Sequence, residues 1–247
     1  MVEYDSAVGQ FGLVDASRLT QRHYVKDVRL HSEPLPAGPF LALSNHPGMT
    51  DTLSLFCALR RQDLKIIALD RPFLNALPNT SQHLFYLKDD TGARMSLVRQ
   101  VTSHLRAGGA ALTFPAGRIE PDPNVYAGAV DSLQTWTDSV GVFIRMAPET
   151  AILPVLVRGV VWEKAARHPL LAIKKTGQEK ETLAAAFQLL AHVAWDVKPV
   201  RVHVQVGRPI HARDLGTTET TVIHRAVLTE MKSLIENPPK DEGQSVM

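Results

Sequence analysis

The chain has 247 residues, of which 45% are hydrophobic and 21% charged, and a formal net charge of +2. This composition supports a buried core and excludes bulk disorder, a single cysteine excludes a disulfide scaffold, and so small a charge gives no support for a nucleic-acid partner. The first residues lack a basic region followed by an apolar run, and no apolar stretch approaches 18 residues, so we expect neither a signal peptide nor a membrane span.

Short apolar runs alternate along the chain with longer amphipathic stretches. Predicted strands cover residues 25–30, 40–44, 65–69, 84–87, 110–114, 152–157 and 200–206. Predicted helices cover residues 50–60, 95–106, 129–146, 179–194 and 218–236. This alternation predicts an α/β fold with a central mixed, mainly parallel β-sheet flanked by helices. We expect one domain over residues 1–236 and a frayed tail over residues 237–247, where no apolar periodicity remains.

The first candidate site is the sequence SNHPGMTD at residues 44–51, where a predicted strand ends and a helix begins. Pro47 disfavours a helical conformation at His46, and Asp51 falls at the helix N-terminus, where the helix dipole favours a carboxylate. If the loop folds back, Asp51 can bind one ring nitrogen of His46 and leave the other free as a general base. Chance alone gives roughly 0.6 such spacings with this many histidines and aspartates, so a histidine that merely caps a strand end also fits.

Two further stretches follow the predicted strands at residues 110–114 and 152–157. In AGGAALTFPAGRIEPDP, at residues 107–123, Gly117 allows close approach of the backbone to a ligand, and Arg118 suits a bidentate phosphate contact. The alternative is an ordinary loop with a solvated Arg118. The run AILPVLVRG, at residues 151–159, predicts a buried strand, with Pro154 at a sheet edge or strand end because proline cannot donate to the ladder.

Common covalent and metal-dependent mechanisms find no support in the sequence. It contains no GxSxG elbow, phosphate-binding GxxxxGK[ST] loop, HExxH or CxxC motif, and no two histidines have an obvious metal-ligand spacing. Cys57 lies in the apolar run LSLFCAL, which is typical of a buried, inert thiol. A base without a protein nucleophile suits a reaction in which a substrate hydroxyl attacks.

Taken together and in this order, the three stretches resemble the glycerophospholipid acyltransferase family, of the bacterial 1-acylglycerol-3-phosphate type. The family motifs are N-H-x4-D, F-P-E-G-T-R and an apolar V-P-V strand. The matching residues are, motif by motif, Asn45, His46 and Asp51; Phe114, Pro115 and Gly117; and Leu153, Pro154 and Val155. The resemblance covers residues 25–159, and VHVQVGRPIHARDL, at residues 202–215, shows a weaker similarity to the family.

The chain departs from the family pattern in the loop that carries the second of these motifs. Ala116 replaces the motif glutamate, Arg118 comes one residue early, and Ile119 occupies the usual arginine position. The family has a further arginine about 26 residues before the Phe-Pro pair, and this position falls on Lys88. The lysine ammonium group is a point charge and cannot make the bidentate contact of a guanidinium group. The run GRIEPDP also resembles the G-R-D-R-P-D-P loop of soluble plastid-type glycerol-3-phosphate acyltransferases, with Glu120 in place of the second arginine.

The resemblance implies an enzyme that moves a fatty acyl group from acyl-CoA or acyl carrier protein to a hydroxyl of a glycerol phosphate or lysophospholipid. His46 would be the general base and Asp51 the residue that orients it. Arg118, Gly117 and Lys88 would bind the substrate, and no metal or organic cofactor is implied.

The altered loop leaves two alternatives open: a non-phosphate lipid acceptor, or a lipid-binding member without catalytic activity. We expect a cytoplasmic protein, and amphiphilic substrates make the inner face of a membrane an optional peripheral partner. Residues 160–175 mix apolar side chains with cations, as an interfacial segment does. An equally suitable interpretation is a segment that packs over the sheet, since Pro169 interrupts its helical period.

Overall fold

The computed structural model describes residues 1–32, 34–48, 50–166, 198 and 200–247. Within these residues, eight strands form one sheet in the order β4-β3-β5-β2-β6-β7-β1-β8. The strands are β1 (Asp27–His31), β2 (Phe40–Ser44), β3 (Lys65–Leu69), β4 (Leu84–Leu87), β5 (Ala110–Thr113), β6 (Ala151–Arg158), β7 (Arg201–Val206) and β8 (Gln244–Ser245). Every residue of β2, β5 and β6 is buried, which is why these strands read as continuous apolar runs.

The sheet is mixed and mainly parallel, as predicted. Strands β4, β3, β5, β2 and β6 run in one direction. Strand β7 is antiparallel to β6 and parallel to β1, and β8 is antiparallel to β1. The carboxyl ends of β5, β2 and β6 therefore meet side by side at one edge, where all three sequence motifs continue into loops.

Helices cover both faces of the sheet. In chain order they are α1 (Val2–Phe11), α2 (Leu13–Tyr24), α3 (Asp51–Leu59), α4 (Pro72–Asn75), α5 (Pro78–Ser81), α6 (Thr91–Arg106), α7 (Ala129–Ser132), α8 (Val140–Met146) and α9 (Glu163–Ala166), followed by Ala212–Leu215 and Thr220–Glu236. Core residues of α3 pack on one face. Those of α6, α8 and the helix Thr220–Glu236 pack on the other face, so the predicted flanking of the sheet by helices is confirmed.

Apart from the four-residue helices α4, α5, α9 and Ala212–Leu215, which were not predicted, two helical regions differ from the sequence prediction. The pair α1 and α2 was not predicted, because the buried face of α2 includes the polar residues Ser17 and Gln21, which an apolar periodicity misses. The single helix predicted over residues 129–146 is interrupted between α7 and α8. The reason is local: Trp136 is extended, its Nε1 donates to Glu120, and the Thr137 amide donates to the Pro115 carbonyl.

Residues near the C-terminus are not frayed, which corrects the expectation for residues 237–247. Gln244–Ser245 pair with β1, the Val246 amide donates to the Val28 carbonyl at 3.0 Å, and Val246 is 3% exposed. Without this strand, β1 would expose a row of unpaired backbone groups at the sheet edge. Val246 and Met247 also pack against the core, and the Ser245 hydroxyl donates to Asp27, contacts that produce no apolar periodicity.

Pro154 lies inside a central strand, which corrects its expected place at an edge or end. Backbone amides of alternate residues of a strand point to the same neighbour, and the Ile152 amide bonds to the Ile210 carbonyl on the β7 side. On that side the regular ladder with β7 starts only at Val155, opposite Val206. The missing N–H of Pro154 therefore faces residues 207–209, where the neighbouring chain leaves the ladder.

No helix among the described residues combines the length and the apolar character needed to cross a bilayer. Of the segment 160–175, Val160 and Val161 are buried, whereas residues 167–175, like the helix predicted over residues 179–194, lie outside the described residues.

Candidate active site

Three loops meet at the carboxyl edge of the parallel strands. Residues 45–50 follow β2, residues 114–128 follow β5, and residues 159–162 follow β6. Because β2 lies between β5 and β6, the first loop is flanked by the other two. Open α/β sheets bind ligands at this edge, so these loops form the candidate site.

His46 and Asp51 form a hydrogen-bonded pair. The Nδ1 atom of His46 lies 2.7 Å from Oδ2 of Asp51, whose side chain is fully buried, while the His46 side chain is 31% exposed. The carboxylate next to Nδ1 favours the tautomer with its proton on Nδ1, which leaves the lone pair on Nε2. No described residue hydrogen-bonds Nε2 in this structure, so that nitrogen is available to a substrate.

The Asp51 carboxylate is held by the loop and by the first turn of α3. Its Oδ2 also accepts a hydrogen bond from the Gly48 amide at 3.0 Å, and its Oδ1 accepts from the amide and the hydroxyl of Thr52. A carboxylate at the start of a helix also gains from the helix dipole. These contacts fix the orientation of the group that orients His46.

The surroundings of His46 raise its pKa above the ordinary value of 6.5. Burial acts in the opposite direction, but the hydrogen bond to Asp51, the charge of Asp51 and the charge of Glu120 together outweigh it. The His46 ring also stacks on Phe114, with 4.6 Å between ring centroids and 24° between planes. The ring is therefore oriented by a carboxylate at Nδ1 and by an aromatic face from the loop after β5.

Asn45 closes the end of β2 onto β6. Its side-chain amide donates to the Val157 carbonyl at 2.9 Å, and its side-chain carbonyl accepts from the Val157 amide at 2.8 Å. The side chain thus continues the sheet pairing one residue beyond the strand. The motif match identified Asn45 without giving it a role. The two hydrogen bonds to Val157 fix the chain directly before His46.

Asp122 joins the loop after β5 to the loop after β6. Its buried carboxylate accepts hydrogen bonds from four backbone amides, those of Asn124, Gly159, Val160 and Val161, at 2.8–3.0 Å. In the sequence, Asp122 is marked only as part of a motif. A lone aspartate between two prolines gives no signal of this function, because three of its four partners are main-chain groups 37–39 residues away.

Glu120 is a second carboxylate in contact with His46. It is 1% exposed, its Oε2 accepts from the His46 amide at 3.2 Å, and its Oε1 accepts from Trp136 Nε1 and Ser132 Oγ. Burial raises the pKa of Glu120, and the hydrogen bonds from Trp136, Ser132 and His46 oppose this effect. The sequence marked Glu120 only as a departure from a family pattern.

The predicted substrate-binding residues are placed differently from one another. Gly117 and Arg118 are exposed and lie between Phe114 and Glu120, both of which touch His46, so they lie on the loop beside the pair. Gly117 has φ +62°, which suits glycine, and its amide closes a turn onto the Phe114 carbonyl. Arg118 has no hydrogen bond or ion pair with any described residue.

Lys88 does not lie close to His46. It follows β4, three strands from β2, which separates the two strand axes by about 14 Å. Its Nζ lies 3.3 Å from Oδ2 of Asp70, and its side chain is 57% exposed. Lys88 is on the correct edge of the sheet but at a distance that only an extended ligand would bridge.

The described residues offer neither a reactive thiol nor a metal site beside His46. Cys57 is buried, and burial raises the pKa of its thiol to about 12, so it does not serve as a thiolate nucleophile. No group of three or more metal-ligating side chains is assembled anywhere in the described part of the chain. The described residues thus offer one kind of catalytic group, a histidine that can act as a base at the carboxyl edge of the parallel strands.

Comparison with known proteins matches the chain to a protein-family model and to solved structures. A protein-family model described as Acyltransferase matches residues 27–158, just over half of the 247 residues. Among solved structures, the chain is similar to the crystal structure of the 1-acyl-sn-glycerophosphate (LPA) acyltransferase, PlsC, from Thermotoga maritima, with a TM-score of 0.51 and 15% sequence identity over 96% of this chain and 81% of that one. At this identity the likeness shows a common fold. No curated protein matches the chain significantly.

Proposed function

Because the chain belongs to the acyltransferase family, we propose that it moves a fatty acyl group from acyl-CoA or acyl carrier protein to a hydroxyl of a glycerol phosphate or lysophospholipid. The observation that carries the proposal is the 2.7 Å contact between His46 and Asp51, which leaves Nε2 of His46 open to the carboxyl edge of the sheet. The family supports the reaction class, and the identity of the acceptor is part of the proposal.

In the proposed reaction, Nε2 of His46 takes the proton of the acceptor hydroxyl while Asp51 stabilises the imidazolium that forms. The hydroxyl oxygen attacks the thioester carbonyl, a C–O bond forms, and the C–S bond of the tetrahedral intermediate breaks. The thiolate leaves readily because the thiol pKa is about 8.5, and it takes the proton back from His46. The products are an ester and a free thiol, and neither a metal nor an organic cofactor takes part.

Direct transfer agrees with the residues around His46. A covalent route would need a protein nucleophile beside Nε2, yet no described residue bonds to this atom, and Cys57 lies buried in the middle of α3. The acceptor hydroxyl therefore takes the place that a serine or cysteine holds in a catalytic triad.

Arg118 and Gly117 are the proposed contacts for the acceptor phosphate. Arg118 is exposed on the loop that touches His46 at both Phe114 and Glu120, and Gly117 permits close approach of the backbone. Lys88 is the weaker candidate because of its distance and its pairing with Asp70. This remoteness favours one alternative, a neutral lipid alcohol as acceptor, which has no need of a second cation.

Arg118→Ala should lower kcat/KM for a phosphate-bearing acceptor by about a hundredfold, mainly through KM, because a bidentate charged contact is lost. Lys88→Ala should cost less. The measurement is steady-state kinetics with a lysophosphatidate and with a neutral lipid alcohol of the same acyl chain. Equal losses of Arg118→Ala on both acceptors would remove the phosphate-binding role.

The raised pKa of His46 predicts the acid limb of the pH–rate profile. A general base must be neutral, so kcat/KM should rise with pH through a midpoint above 6.5. The acceptor should be a phosphodiester lysophospholipid, whose phosphate does not titrate in this range. A midpoint at or below 6.5 would contradict the influence of Asp51 and Glu120 on His46.

The decisive test is a screen of purified protein with acyl-CoA and acyl carrier protein donors against phosphate, phosphodiester and neutral lipid acceptors, read by mass spectrometry. We expect an acylated phosphate-bearing product that is absent with His46→Ala. Product with neutral acceptors only would establish the first alternative. Binding of lipid without any product would establish a non-catalytic member of the family.

A further inference from the structure

Glu120 is a buried carboxylate to which the proposed reaction gives no role. Its Oε2 accepts a hydrogen bond from the His46 amide at 3.2 Å, and its own amide donates to the His46 carbonyl at 2.9 Å. Both main-chain polar groups of the residue that carries the base are thus bound by Glu120. The preceding residue, Asn45, is bound to β6 through its side chain, so the backbone is held on two sides.

The other oxygen of Glu120 is anchored away from the site. Its Oε1 accepts from Trp136 Nε1 at 2.8 Å and from Ser132 Oγ at 3.0 Å. Ser132 is the last residue of α7 and Trp136 lies between α7 and α8, where the continuous helix predicted for residues 129–146 is interrupted. The carboxyl group therefore connects this region to the backbone of His46.

A buried negative charge is costly unless a positive charge or several donors compensate for it. A neutral amide or hydroxyl acceptor would satisfy Trp136 and Ser132 at lower cost. The positive charge available nearby is that of His46 itself, once it has taken a proton, and the fields of Glu120 and His46 act on each other.

The other charged groups around His46 make different contacts from those of Glu120. Asp51, from α3, binds Nδ1 directly. On the loop that carries Glu120, the Asp122 carboxylate is directed to the backbone after β6, and Arg118 is exposed. Glu120 is thus the second carboxylate whose field acts on the imidazole.

We propose that Glu120 is a positioning residue of the acyl transfer, which fixes the main chain of His46 and stabilises the imidazolium while the acceptor oxygen attacks. Its kinetic part rests on the proposed function, whereas its electrostatic part concerns His46 alone. It acts through His46 and does not touch the substrate, because it is almost completely buried.

The electrostatic part is tested by NMR titration of ¹³C-labelled histidine, with His46→Ala identifying the His46 signal. Glu120→Gln keeps the shape of the side chain and removes its charge, so the titration midpoint of His46 should move to lower pH. The matched control is Asp5→Asn, which changes a buried carboxylate that binds Asn79 and Thr80 of α5. That variant should leave the His46 midpoint in place even if it lowers the melting temperature.

The kinetic part is tested with the same variants. Glu120→Gln should lower kcat about tenfold, with little change in KM for the acyl donor, and should shift the acid limb of the pH–rate profile to lower pH. Glu120→Asp keeps the charge but shortens the side chain, so it should lower kcat while the raised midpoint of His46 is retained. This second variant keeps the proposal testable if Glu120→Gln fails to fold.

Three results would overturn the proposal. The first is a His46 midpoint that Glu120→Gln leaves unchanged, and the second is a His46 midpoint that Asp5→Asn shifts as far as Glu120→Gln does. The third is a kcat that Glu120→Asp leaves unchanged. A protein without transferase activity, but with a His46 midpoint that Glu120→Gln lowers, would overturn the proposed function and leave the coupling between Glu120 and His46 established.

Discussion

Replacement of His46 by alanine is expected to lower kcat by about 10²–10⁴-fold, because the acceptor hydroxyl then loses its base. Folding should change little, since the His46 side chain is partly exposed and Asp51 keeps the donors from Gly48 and Thr52. The measurement is steady-state turnover of a thioester donor, with thermal melting as the check on folding.

Asp51→Asn should be nearly as severe, since an amide cannot hold the Nδ1 proton as a carboxylate does and does not stabilise the imidazolium. A matched control is offered by His31, whose Nδ1 lies 2.8 Å from Oδ1 of Asp241 and which lies in β1, away from the three loops. His31→Ala also breaks a histidine–aspartate pair but should leave kcat in place. Near-normal turnover of both His46→Ala and Asp51→Asn would exclude the proposed mechanism.

The second large effect is expected on stability. Asp122→Ala should lower the free energy of unfolding by about 3–5 kcal/mol, because four backbone amides, two of them fully buried, lose their acceptor. Asp122→Asn keeps one acceptor oxygen and should lose less. Urea unfolding at equilibrium measures both, and Asp131→Ala, at an exposed position, should change stability by less than about 0.5 kcal/mol.

Activity should fall together with stability in Asp122→Ala, since the loop after β5 carries Phe114, Arg118 and Glu120. A loss of less than about 1 kcal/mol would mean that water replaces the carboxylate at little cost. Such a result would remove Asp122 as the connection between the two loops.

The sequence predicted the central strands well, and the reason is physical. Strands such as β2 and β3 are short apolar runs bounded by turn residues, so their predicted limits coincide with those observed. The pairing of His46 with Asp51 was also predictable, because Pro47 and Gly48 shape the short loop that joins the two residues. The observed 2.7 Å contact agrees with that prediction, while the catalytic roles remain proposals.

The contacts that were not predicted are the ones made between distant segments. Glu120 reaches Trp136 and the main chain of His46, and Asp122 reaches Val160, so neither contact leaves a periodic or motif-like signal. Likewise, α2 was missed because Gln21 uses its buried amide to bind the Thr50 carbonyl, in the loop after β2, and the Ser54 hydroxyl, in α3. Polar residues that serve as internal partners look like surface residues when the sequence is read alone.

The position of β1 bears on the order in which this chain folds during synthesis. Both neighbours of β1 come from late in the chain, β7 at Arg201–Val206 and β8 at Gln244–Ser245, whereas β2 to β6 all lie within residues 40–158. At synthesis rates of about 5–20 residues per second, roughly 9–35 s pass between the synthesis of β1 and that of its first partner strand, β7. The parallel strands that carry the loops of the candidate site can therefore assemble on the ribosome before β1 joins the sheet.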